Sequence, residues 1–378
     1  MSIQQKAYIG IDCLKDFTSV LKKFNPKRVF LVRGKKSFQL CGAEKIIKDV
    51  LKEFSSEVLS FYDFEENPKI EDVKKGLSIL ETFNPDIIIA IGGGSVLDIA
   101  KLIRFFHSYE GEETGNEFEE KYPQIPLLAL PTTAGTGCEA THFAVMYKDK
   151  IKYSVEHDDM LPNYAFVYPP FTYKNSPYLT ACTGFDALAQ GIEAYWNVNA
   201  TEESDEYAMK AIQLLWSNLP LAVNSPTEEI RNKVAEGAYW AGRAINITKT
   251  TAPHAFSYPF TSYYGYPHGH AVALTFPFFM DLNCNKINNS KVYIDDKIKC
   301  WRKIDKLESL LYIANGKELE TLTNYVNSIF PNQPKIKSFD AYLKLVNLQR
   351  LRNNPIIVDE FVIEKLKKYL SIYKDNHG

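Results

Sequence analysis

Short apolar runs alternate with segments of helical periodicity along the first half of the chain. The runs that we predict as buried strands span residues 28–32, 57–61, 86–91 and 125–130. The segments whose apolar residues recur every three or four positions, as on one face of a helix, span residues 43–54, 70–83 and 96–103. Strands that alternate with helices are typical of βαβ units and a mainly parallel sheet. This half is therefore predicted to be an α/β domain.

The pattern changes near residue 175, in a stretch that contains Pro169, Pro170 and Pro177. Beyond it strand patterns nearly vanish. The helical segments that we predict there span residues 180–196, 203–218, 228–247 and 272–282, with several more after Asp305. We therefore predict an α/β domain over residues 1–175 and an all-α domain over residues 176–378. Residues 283–299, rich in Lys and Asn, are predicted to form an exposed loop.

Composition narrows the class of protein. A chain of 378 residues, 45% of them hydrophobic, can bury a large core over two or three domains. Its net charge of -2 gives no general attraction to nucleic acid or to a membrane surface, and no apolar run approaches the roughly 20 residues that span a bilayer. The start lacks the features of a signal peptide, and six scattered cysteines without a CxxC pair indicate reduced thiols. We expect a soluble cytoplasmic protein.

The predicted strand 86–91 runs directly into Gly92, Gly93, Gly94 and Ser95, and then into a helix. Glycines let backbone N–H groups approach an anion closely, and the helix N-terminus adds a partial positive charge. Ser95 can cap the helix or bond a phosphate oxygen. The spacing is not that of the GxGxxG fingerprint. We predict a phosphate-binding turn, and the alternative is an ordinary glycine-rich turn between strand and helix.

A second loop of small residues follows the predicted strand 125–130. Residues 131–139 contain two glycines and the hydroxyls of Thr132, Thr133 and Thr136. Such a loop can wrap a nucleotide with backbone and hydroxyl donors. Loops rich in Thr and Gly are common, but two of them after two strands strengthen the prediction of a nucleotide site.

Two oxygen-bearing side chains open the helical half. Asp186 and Gln190 are four residues apart, so they share one helix face. A carboxylate and an amide oxygen placed in this way can both reach a metal. The alternatives are a carboxylate that interacts favourably with the helix N-terminus and an amide on the surface.

Three of the seven histidines, His254, His268 and His270, lie within a stretch of seventeen residues. Neutral imidazole is the commonest protein ligand for divalent metals. His254 and His268 are fourteen residues apart, too far for one helical face unless the chain folds back. Gly265 and Pro267 supply a bend between them. The alternative is a set of buried histidines with satisfied hydrogen bonds.

Four motifs occur in a fixed order: GGGSxxD, PTTAGTGxE, GxDAL, and two spaced histidines of which the second lies in PHG. This order, over residues 27–282, resembles the iron-containing alcohol dehydrogenase family. The resemblance implies an α/β nucleotide-binding domain followed by an all-α metal-binding domain, an architecture shared with dehydroquinate synthase. It also implies an NAD(P)-dependent alcohol dehydrogenase or aldehyde reductase, with its active site in the cleft between the domains.

The resemblance also assigns site residues. Those carried over to a divalent metal, Fe²⁺ or Zn²⁺, are Asp186, Gln190, His254 and His268. Family members have a histidine at the position of Gln190, and an amide oxygen is a weaker ligand. Three strong ligands and an open position still satisfy a catalytic site. The residues carried over to the cofactor, NADPH or NADH, are Gly34, Gly92, Gly93, Gly94, Ser95, Asp98, Thr132, Thr133, Thr136 and Cys138.

Two further positions depart from the family pattern. Gly34, flanked by Arg33 and Lys35, stands where NAD-preferring members often carry an Asp that binds ribose hydroxyls. Loss of that carboxylate and the nearby cations favour NADPH, and the alternative is a set of solvated cations. Tyr258 stands where many members have a further histidine. We expect water, Tyr258 or His270 to pass the proton to the product.

The segment around Lys249 is similar to phosphonoacetaldehyde reductases of the same family. Lys249 lies five residues before His254. A cation with the hydroxyls of Thr248, Thr250 and Thr251 suits an anionic tetrahedral group, and the alternative is a solvated lysine at a helix end. We expect a small anionic aldehyde as substrate, phosphonoacetaldehyde, reduced to 2-hydroxyethylphosphonate.

Other functions are compatible with the same residues. One is a general alcohol, aldehyde or polyol dehydrogenase of the family, and another is a dehydroquinate-synthase-like lyase without net cofactor turnover. A third is a non-catalytic nucleotide-binding protein, which Gln190 and Tyr258 make conceivable. We expect no nucleic-acid or membrane partner, and a homodimer is the assembly that we consider.

Overall fold

The computed structural model describes residues 5–113, 115, 117–149, 151–285, 297–332, 346 and 348–373. The chain separates into two units, divided between Asn175 and Ser176. In the described part of the chain, no helix is long and apolar enough to cross a membrane.

A six-stranded parallel sheet forms the centre of the first unit. The strands of this unit are β1 (Lys6–Ile9), β2 (Arg28–Arg33), β3 (Glu57–Phe61), β4 (Ile87–Gly92), β5 (Tyr109–Gly111), β6 (Phe118–Glu120), β7 (Leu127–Pro131), β8 (Phe143–Lys148), β9 (Ile151–Glu156) and β10 (Tyr164–Val167). The sheet has the order β1-β10-β7-β4-β2-β3, and each neighbouring pair is parallel. β5 with β6 and β8 with β9 form two antiparallel pairs.

Helices cover both faces of this sheet. They are α1 (Cys13–Phe24), α2 (Ser37–Leu40), α3 (Ala43–Lys52), α4 (Ile70–Phe83) and α5 (Gly94–Ser108). On β4, Ile87, Ile89 and Ile91 pack with side chains of α1 and α3, whereas Ile88 and Ala90 pack with those of α4 and α5. Successive strand residues point to opposite faces, so a strand that is covered on both sides reads as an unbroken apolar run. The predicted α/β architecture is confirmed.

Helices make up the described part of the second unit. They are α6 (Pro177–Trp196), α7 (Glu202–Asn224), α8 (Glu228–Thr248), α9 (Ala252–Tyr264), α10 (His268–Cys284), α11 (Lys297–Leu310), α12 (Glu318–Ile329), α13 (Leu348–Leu351) and α14 (Glu360–Leu370). α6, α7 and α8 pack against one another, and α10 packs against α6, α9 and α12. The predicted all-α character of the second half is confirmed.

Hydroxyl side chains determine where the first three of these helices begin. Ser176, Thr201 and Thr227 each accept a hydrogen bond from a backbone N–H three residues further on. Such caps each contribute about 1 kcal/mol. α6 begins at Pro177, three residues before the predicted start, because proline is favoured at the first position of a helix.

The prediction omits β1, β5, β6, β8, β9, β10, α1, α2 and α9. β1 has only four residues, and β8 alternates buried and partly buried residues, so neither gives a continuous apolar run. α9 contains Pro253 and Pro259, and proline disfavours a helix interior, although a proline in the first turn, such as Pro253, is tolerated. Of the predicted exposed loop 283–299, residues 286–296 lie outside the described chain. The prediction is wrong for Asn283 and Cys284, which are buried in α10, and for residues 297–299, which belong to α11.

Candidate functional site

The carboxyl ends of three neighbouring parallel strands meet at one edge of the sheet in the first unit. β4 lies between β2 and β7, and Gly92 at its end pairs with Pro131 of β7. Backbone hydrogen bonds continue past the strand ends, from Gly34 N to Ile91 O at 3.2 Å and from Thr132 N to Gly92 O at 2.9 Å. Ligands of open α/β sheets bind at this edge. The structure thus brings together the loops that were predicted to bind a cofactor.

The glycine turn and the threonine loop pack closely against each other. A Cβ atom on Gly94 would lie 2.8 Å from Thr136 Cγ2, and one on Gly93 would lie 3.4 Å from Thr133 Oγ1. Gly94 is the first residue of α5, so the threonine loop lies beside the backbone N–H groups of the helix start. Because these two glycines have no side chains, the two loops can pack this closely, and phosphate binding by the turn stays a prediction.

Three other predicted cofactor residues are engaged by the protein itself. Ser95 Oγ accepts a hydrogen bond from Asn67 N at 3.1 Å, and a glycine is the N-cap of α5, so the prediction that Ser95 caps this helix is wrong. Asp98 Oδ2 accepts from Val145 N at 3.3 Å, and burial raises the pKa of the Asp98 carboxyl. Burial also raises the pKa of the Cys138 thiol well above its ordinary value. Direct contact of these residues with the cofactor stays a prediction.

A buried lysine that the sequence analysis does not single out holds the threonine loop. Lys101 of α5 is fully buried, and its Nζ donates to Cys138 O at 3.1 Å and to Thr141 Oγ1 at 3.0 Å. Because α5 also starts at the glycine turn, one helix fixes both loops. The sequence feature that could have identified Lys101 is its position as a charged residue inside the mostly apolar segment 96–103.

The cations near Gly34 are also partly engaged. The Arg33 guanidinium lies 3.8 Å from the centroid of the Tyr62 ring. Lys35 Nζ lies 3.4 Å from Asp63 Oδ1. Because both cations already have partners within the protein, their attraction for a 2′-phosphate is weaker than the sequence alone indicates. The preference for NADPH stays a prediction.

Three of the four predicted metal ligands converge in the second unit. Asp186 lies on α6, His254 on α9 and His268 on α10. His254 Nε2 is 3.0 Å from Asp186 Oδ1, and His268 Nε2 is 3.8 Å from the same oxygen. One ligand atom from each residue lies within 4.8 Å of the other two. Carboxylate oxygens and imidazole nitrogens at this spacing suit a divalent ion with bonds of about 2.0–2.2 Å.

The two histidines meet because the chain folds back between them. Gly265 ends α9 in the left-handed conformation, with φ of 70°, and Pro267 directly precedes α10. The rings of His254 and His268 then lie 5.3 Å apart between centroids. The bend predicted at Gly265 and Pro267 is therefore present in the structure.

Gly269 permits the close approach of α10 to α6. A Cβ atom on Gly269 would lie 1.8 Å from Cys182 O and 3.1 Å from Asp186 Cβ. The obstacle is the backbone of a buried helix, which has no room to move aside. The glycine of the PHG motif thus lets His268 lie beside Asp186.

Gln190 lies one helical turn after Asp186 and is buried. Its Oε1 atom has no hydrogen-bond partner among the described residues. A buried polar atom without a partner costs about 1–3 kcal/mol, so this oxygen is better accommodated if a cation binds it. The fourth predicted position therefore fits a metal, although through a neutral oxygen.

The carboxylates of Glu193 and Asp186 favour a positive charge within the cluster. His254 Nδ1 lies 2.5 Å from Glu193 Oε1, and both side chains are buried. Burial opposes the charged form of His254, but the carboxylates of Glu193 and Asp186 outweigh it and raise the pKa of the ring to about 10. A divalent ion can supply the positive charge in place of the proton. The donor set therefore fits the implied metal.

Glu193 is absent from the residues predicted from sequence. Asp186, Gln190, Glu193 and Asn197 follow one another at spacings of four, three and four residues along α6. They form one polar face on a helix that is otherwise almost entirely buried and apolar. This polar stripe was the signal that could have identified Glu193.

The two predicted proton-transfer residues occupy different surroundings. Tyr258 is half-buried, and its ring stacks on His268 with centroids 5.9 Å apart. His270 is buried, stacks on Phe330 at 4.2 Å, and its Nδ1 lies 3.0 Å from the hydroxyl of Tyr178. Tyr258 thus borders the metal cluster, and the roles of both residues stay predictions.

Lys249 ends α8 with an unusual backbone conformation, φ 64° and ψ −171°. Of the hydroxyls predicted to join it around an anion, two donate elsewhere. Thr248 Oγ1 donates to Ala244 O and Lys249 O, and Thr251 Oγ1 donates to Glu193 Oε2 at 2.9 Å. The prediction of these two threonines as donors to a substrate is therefore wrong, because their hydroxyls stabilise the turn itself.

Family models match most of the chain. A model of the iron-containing alcohol dehydrogenases matches residues 4–169. A model of the C-terminal part of the Fe-containing alcohol dehydrogenase family matches residues 180–325.

Individual relatives agree with these models. Long-chain-alcohol dehydrogenase 1 of Geobacillus thermodenitrificans is 31% identical over 320 residues, 80% of each chain. The NADPH-dependent butanol dehydrogenase of Clostridium saccharobutylicum is 31% identical over 317 residues, 82% of this chain and 79% of that protein. Among solved structures, sulfoacetaldehyde reductase from Bifidobacterium kashiwanohense in complex with NAD⁺ matches with a TM-score of 0.80 at 25% identity, covering 98% of this chain and 97% of that one.

Proposed function

The chain belongs to the iron-containing alcohol dehydrogenase family, and we propose that within this family it reduces a small anionic aldehyde, phosphonoacetaldehyde, to 2-hydroxyethylphosphonate. An alcohol dehydrogenase of this family uses NAD(P)H and a divalent metal. The net reaction takes one hydride from NAD(P)H and one proton, and it gives the alcohol and NAD(P)⁺. Because this reaction consumes NAD(P)H, it differs from that of a dehydroquinate-synthase-like lyase, which has no net cofactor turnover and which we do not propose.

Different residues bind the nucleotide, bind the metal and donate the proton in this reaction. The glycine turn and the threonine loop hold the nucleotide, with the helix start of α5 toward its phosphates. Asp186, His254 and His268 would hold the metal, with Gln190 as the fourth ligand, and a divalent ion bound there would supply a Lewis acid for a carbonyl oxygen. Tyr258 lies beside His268 and can donate its hydroxyl proton toward the product oxygen, directly or through water.

The conformation of Lys249 is the observation that carries the assignment of an anionic substrate. Its φ and ψ lie in a region that is essentially restricted to glycine, at a cost of about 1–3 kcal/mol for other residues. Hydrogen bonds fix this strained turn, since Lys249 N donates to Ile245 O at 2.9 Å and Lys249 O accepts from Asn197 Nδ2 at 3.2 Å. Strained residues of this kind cluster at ligand-binding and active sites, and the charge that this one offers to a ligand is the ammonium group of Lys249. The named substrate of the sulfoacetaldehyde reductase relative is likewise an aldehyde that carries an anionic tetrahedral group.

Replacing Lys249 with alanine tests this assignment, because alanine keeps the strain and removes the charge. Loss of a hydrogen bond to a charged group costs about 1.5–3 kcal/mol, so KM for phosphonoacetaldehyde should rise about 10- to 100-fold. KM for butanal should change little. Steady-state kinetics with both aldehydes, each with NADPH and NADH, measure this and the cofactor preference together. Lys249→Arg, which keeps the positive charge, is the matched control and should retain most of the discrimination.

A second candidate function is the reduction of uncharged aldehydes. Two relatives are named as dehydrogenases of long-chain alcohols and butanol, and two of the three threonine hydroxyls near Lys249 are engaged within the protein. If Lys249→Ala raises KM equally for phosphonoacetaldehyde and butanal, this second function replaces the first.

Replacing Gln190 with histidine should tighten metal binding, since imidazole is a stronger ligand than an amide oxygen for Fe²⁺, Co²⁺ and Zn²⁺. We expect Kd for Co²⁺ to fall about tenfold or more, corresponding to at least about 1.4 kcal/mol. Titration of the metal-free protein, followed by visible Co²⁺ absorption, measures this. The matched variant Gln190→Leu removes the buried oxygen and should weaken binding. A Gln190→Leu protein that binds Co²⁺ as tightly as the wild type would exclude Gln190 from the ligand set.

A further inference from the structure

We propose that Glu193 is a positioning residue for the metal site, which sets the tautomer of His254 and holds its Nε2 atom toward Asp186. This inference rests on the metal site of the proposed function but not on the identity of the substrate. Glu193 is fully buried on α6, seven residues after Asp186 and on the same face of the helix. It therefore lies behind His254 with no access to bulk water.

Glu193 contacts two defined hydrogen-bond donors, both of Thr251, and one ring nitrogen of His254. Its Oε1 atom lies 2.5 Å from His254 Nδ1. Its Oε2 atom accepts from the backbone N of Thr251 at 2.5 Å and from Thr251 Oγ1 at 2.9 Å. Thr251 Oγ1 in turn accepts from Trp196 Nε1 at 3.0 Å, which commits the proton of the threonine hydroxyl to Glu193. Oε2 thus accepts from two donors, as an oxygen of a carboxylate does, and in the proposed arrangement Oε1 is the acceptor of a proton on His254 Nδ1.

The acceptor character of Glu193 has a direct consequence for His254. A carboxylate beside Nδ1 requires that this nitrogen carry a proton, so in the neutral ring Nε2 keeps its lone pair. Nε2 is the atom that faces Asp186 at 3.0 Å, in the position of a metal ligand. A carboxylate behind a ligating histidine also increases the basicity of the ring and fixes its orientation.

An amide in place of the carboxylate would reverse this arrangement. A glutamine would present one NH₂ group, which cannot face the Thr251 N–H without losing a hydrogen bond. If its NH₂ group turned toward His254, the neutral ring would accept at Nδ1 and carry its proton on Nε2. In that tautomer Nε2 has no lone pair for a metal. The substitution Glu193→Gln therefore removes a charge and favours the wrong tautomer, although the volume is nearly unchanged.

Trp196, the last residue of α6, and Asn197, which follows it, hold the same turn. Asn197 Nδ2 donates to Lys249 O at 3.2 Å, and Trp196 Nε1 donates to Thr251 Oγ1 at 3.0 Å. The turn that joins α8 to α9 is thus attached to the C-terminal half of α6, directly before the helix that carries His254. Among these residues, Glu193 contacts both Thr251 of the turn and the imidazole ring of His254.

Binding of Co²⁺ to metal-free protein tests the inference without substrate or cofactor. For Glu193→Gln we expect Kd for Co²⁺ to rise about 10- to 100-fold, the usual effect of losing a partner behind a ligating histidine. We also expect the visible Co²⁺ absorption bands of the saturated protein to shift, because the field at the ion changes. Glu318→Gln is the matched control: Glu318 is a buried glutamate of α12 that accepts from Gly316 N, and it lies outside the metal cluster. This variant should bind Co²⁺ as the wild type does.

The outcomes separate this inference from the proposed function. If the wild-type protein does not bind Co²⁺, the proposed metal site fails. If the wild type binds and Glu193→Gln matches it in Kd and spectrum, the role of Glu193 is refuted. If Glu193→Gln does not fold, Glu193→Asp serves, because it keeps the charge but is one methylene too short to reach both His254 and Thr251. Unchanged Co²⁺ affinity in a folded Glu193→Asp protein would equally overturn the inference.

Discussion

Replacing Gly269 with alanine is expected to eliminate metal binding and to destabilise the second unit by about 1–3 kcal/mol or more, as overpacking of a core does. The added Cβ would lie 1.8 Å from Cys182 O, which belongs to the backbone of α6. A flexible side chain could rotate away, but a buried helix backbone cannot. α10 would have to move away from α6, and His268, the residue next to Gly269, would leave Asp186.

Two measurements on the same protein check this expectation. Urea unfolding gives the change in stability, and Co²⁺ titration gives the change in metal affinity. Gly191→Ala is the matched control on α6, because its Cβ would lie 3.3 Å from Ala211 Cβ, a contact that a small shift relieves. We expect the control to keep both properties close to those of the wild type. A Gly269→Ala protein with wild-type Co²⁺ affinity would show that this close approach does not position His268.

Replacing Asp186 with asparagine is expected to lower kcat/KM for the aldehyde about 1,000-fold. Asp186 is the carboxylate among the three converging ligands, and its Oδ1 atom faces both histidines. Without this negative charge the ion is held mainly by neutral groups, and the metal content should fall from one ion per chain toward none. A metal acting as a Lewis acid supplies several kcal/mol of transition-state stabilisation, which corresponds to about three powers of ten in rate.

Metal analysis and steady-state kinetics on the purified variant provide the test. Asp205→Asn is a suitable control, because Asp205 pairs with Lys303 on another part of the helical unit. That control should keep its metal and its activity. Activity of Asp186→Asn within tenfold of the wild type, with no bound metal, would mean that catalysis does not depend on this site.

The sequence was most informative where a single local pattern determines structure. The apolar run of β4 and the glycines after it predict a buried strand that ends in a turn, and the structure has both. Motif order identified three residues that converge although they lie up to 82 residues apart, from Asp186 to His268. Their convergence could be predicted from the family resemblance but not from periodicity, because no local sequence pattern shows that α6 and α10 pack together.

Side chains whose partners are distant in sequence could not be assigned in the same way. Thr248 and Thr251 were interpreted as donors to a substrate because a hydroxyl in a loop shows no partner in the sequence. In the structure their protons are committed to Lys249 O and Glu193. Glu193 and Lys101 were missed for the converse reason, since a charged residue in an apolar helix is interpretable only when its partners across the core are known.

The strained turn at Lys249 has a consequence for anyone who engineers this enzyme for heat resistance. Lys249→Gly would relieve about 1–3 kcal/mol of backbone strain, which corresponds to a few degrees in Tm for a unit of this size. A screen that scores survival at high temperature would therefore enrich this exchange and discard the ammonium group at the same time. If Lys249 binds the anionic group of the substrate as proposed, this exchange raises stability and lowers the discrimination between charged and neutral aldehydes, so selection for stability alone would erode that discrimination.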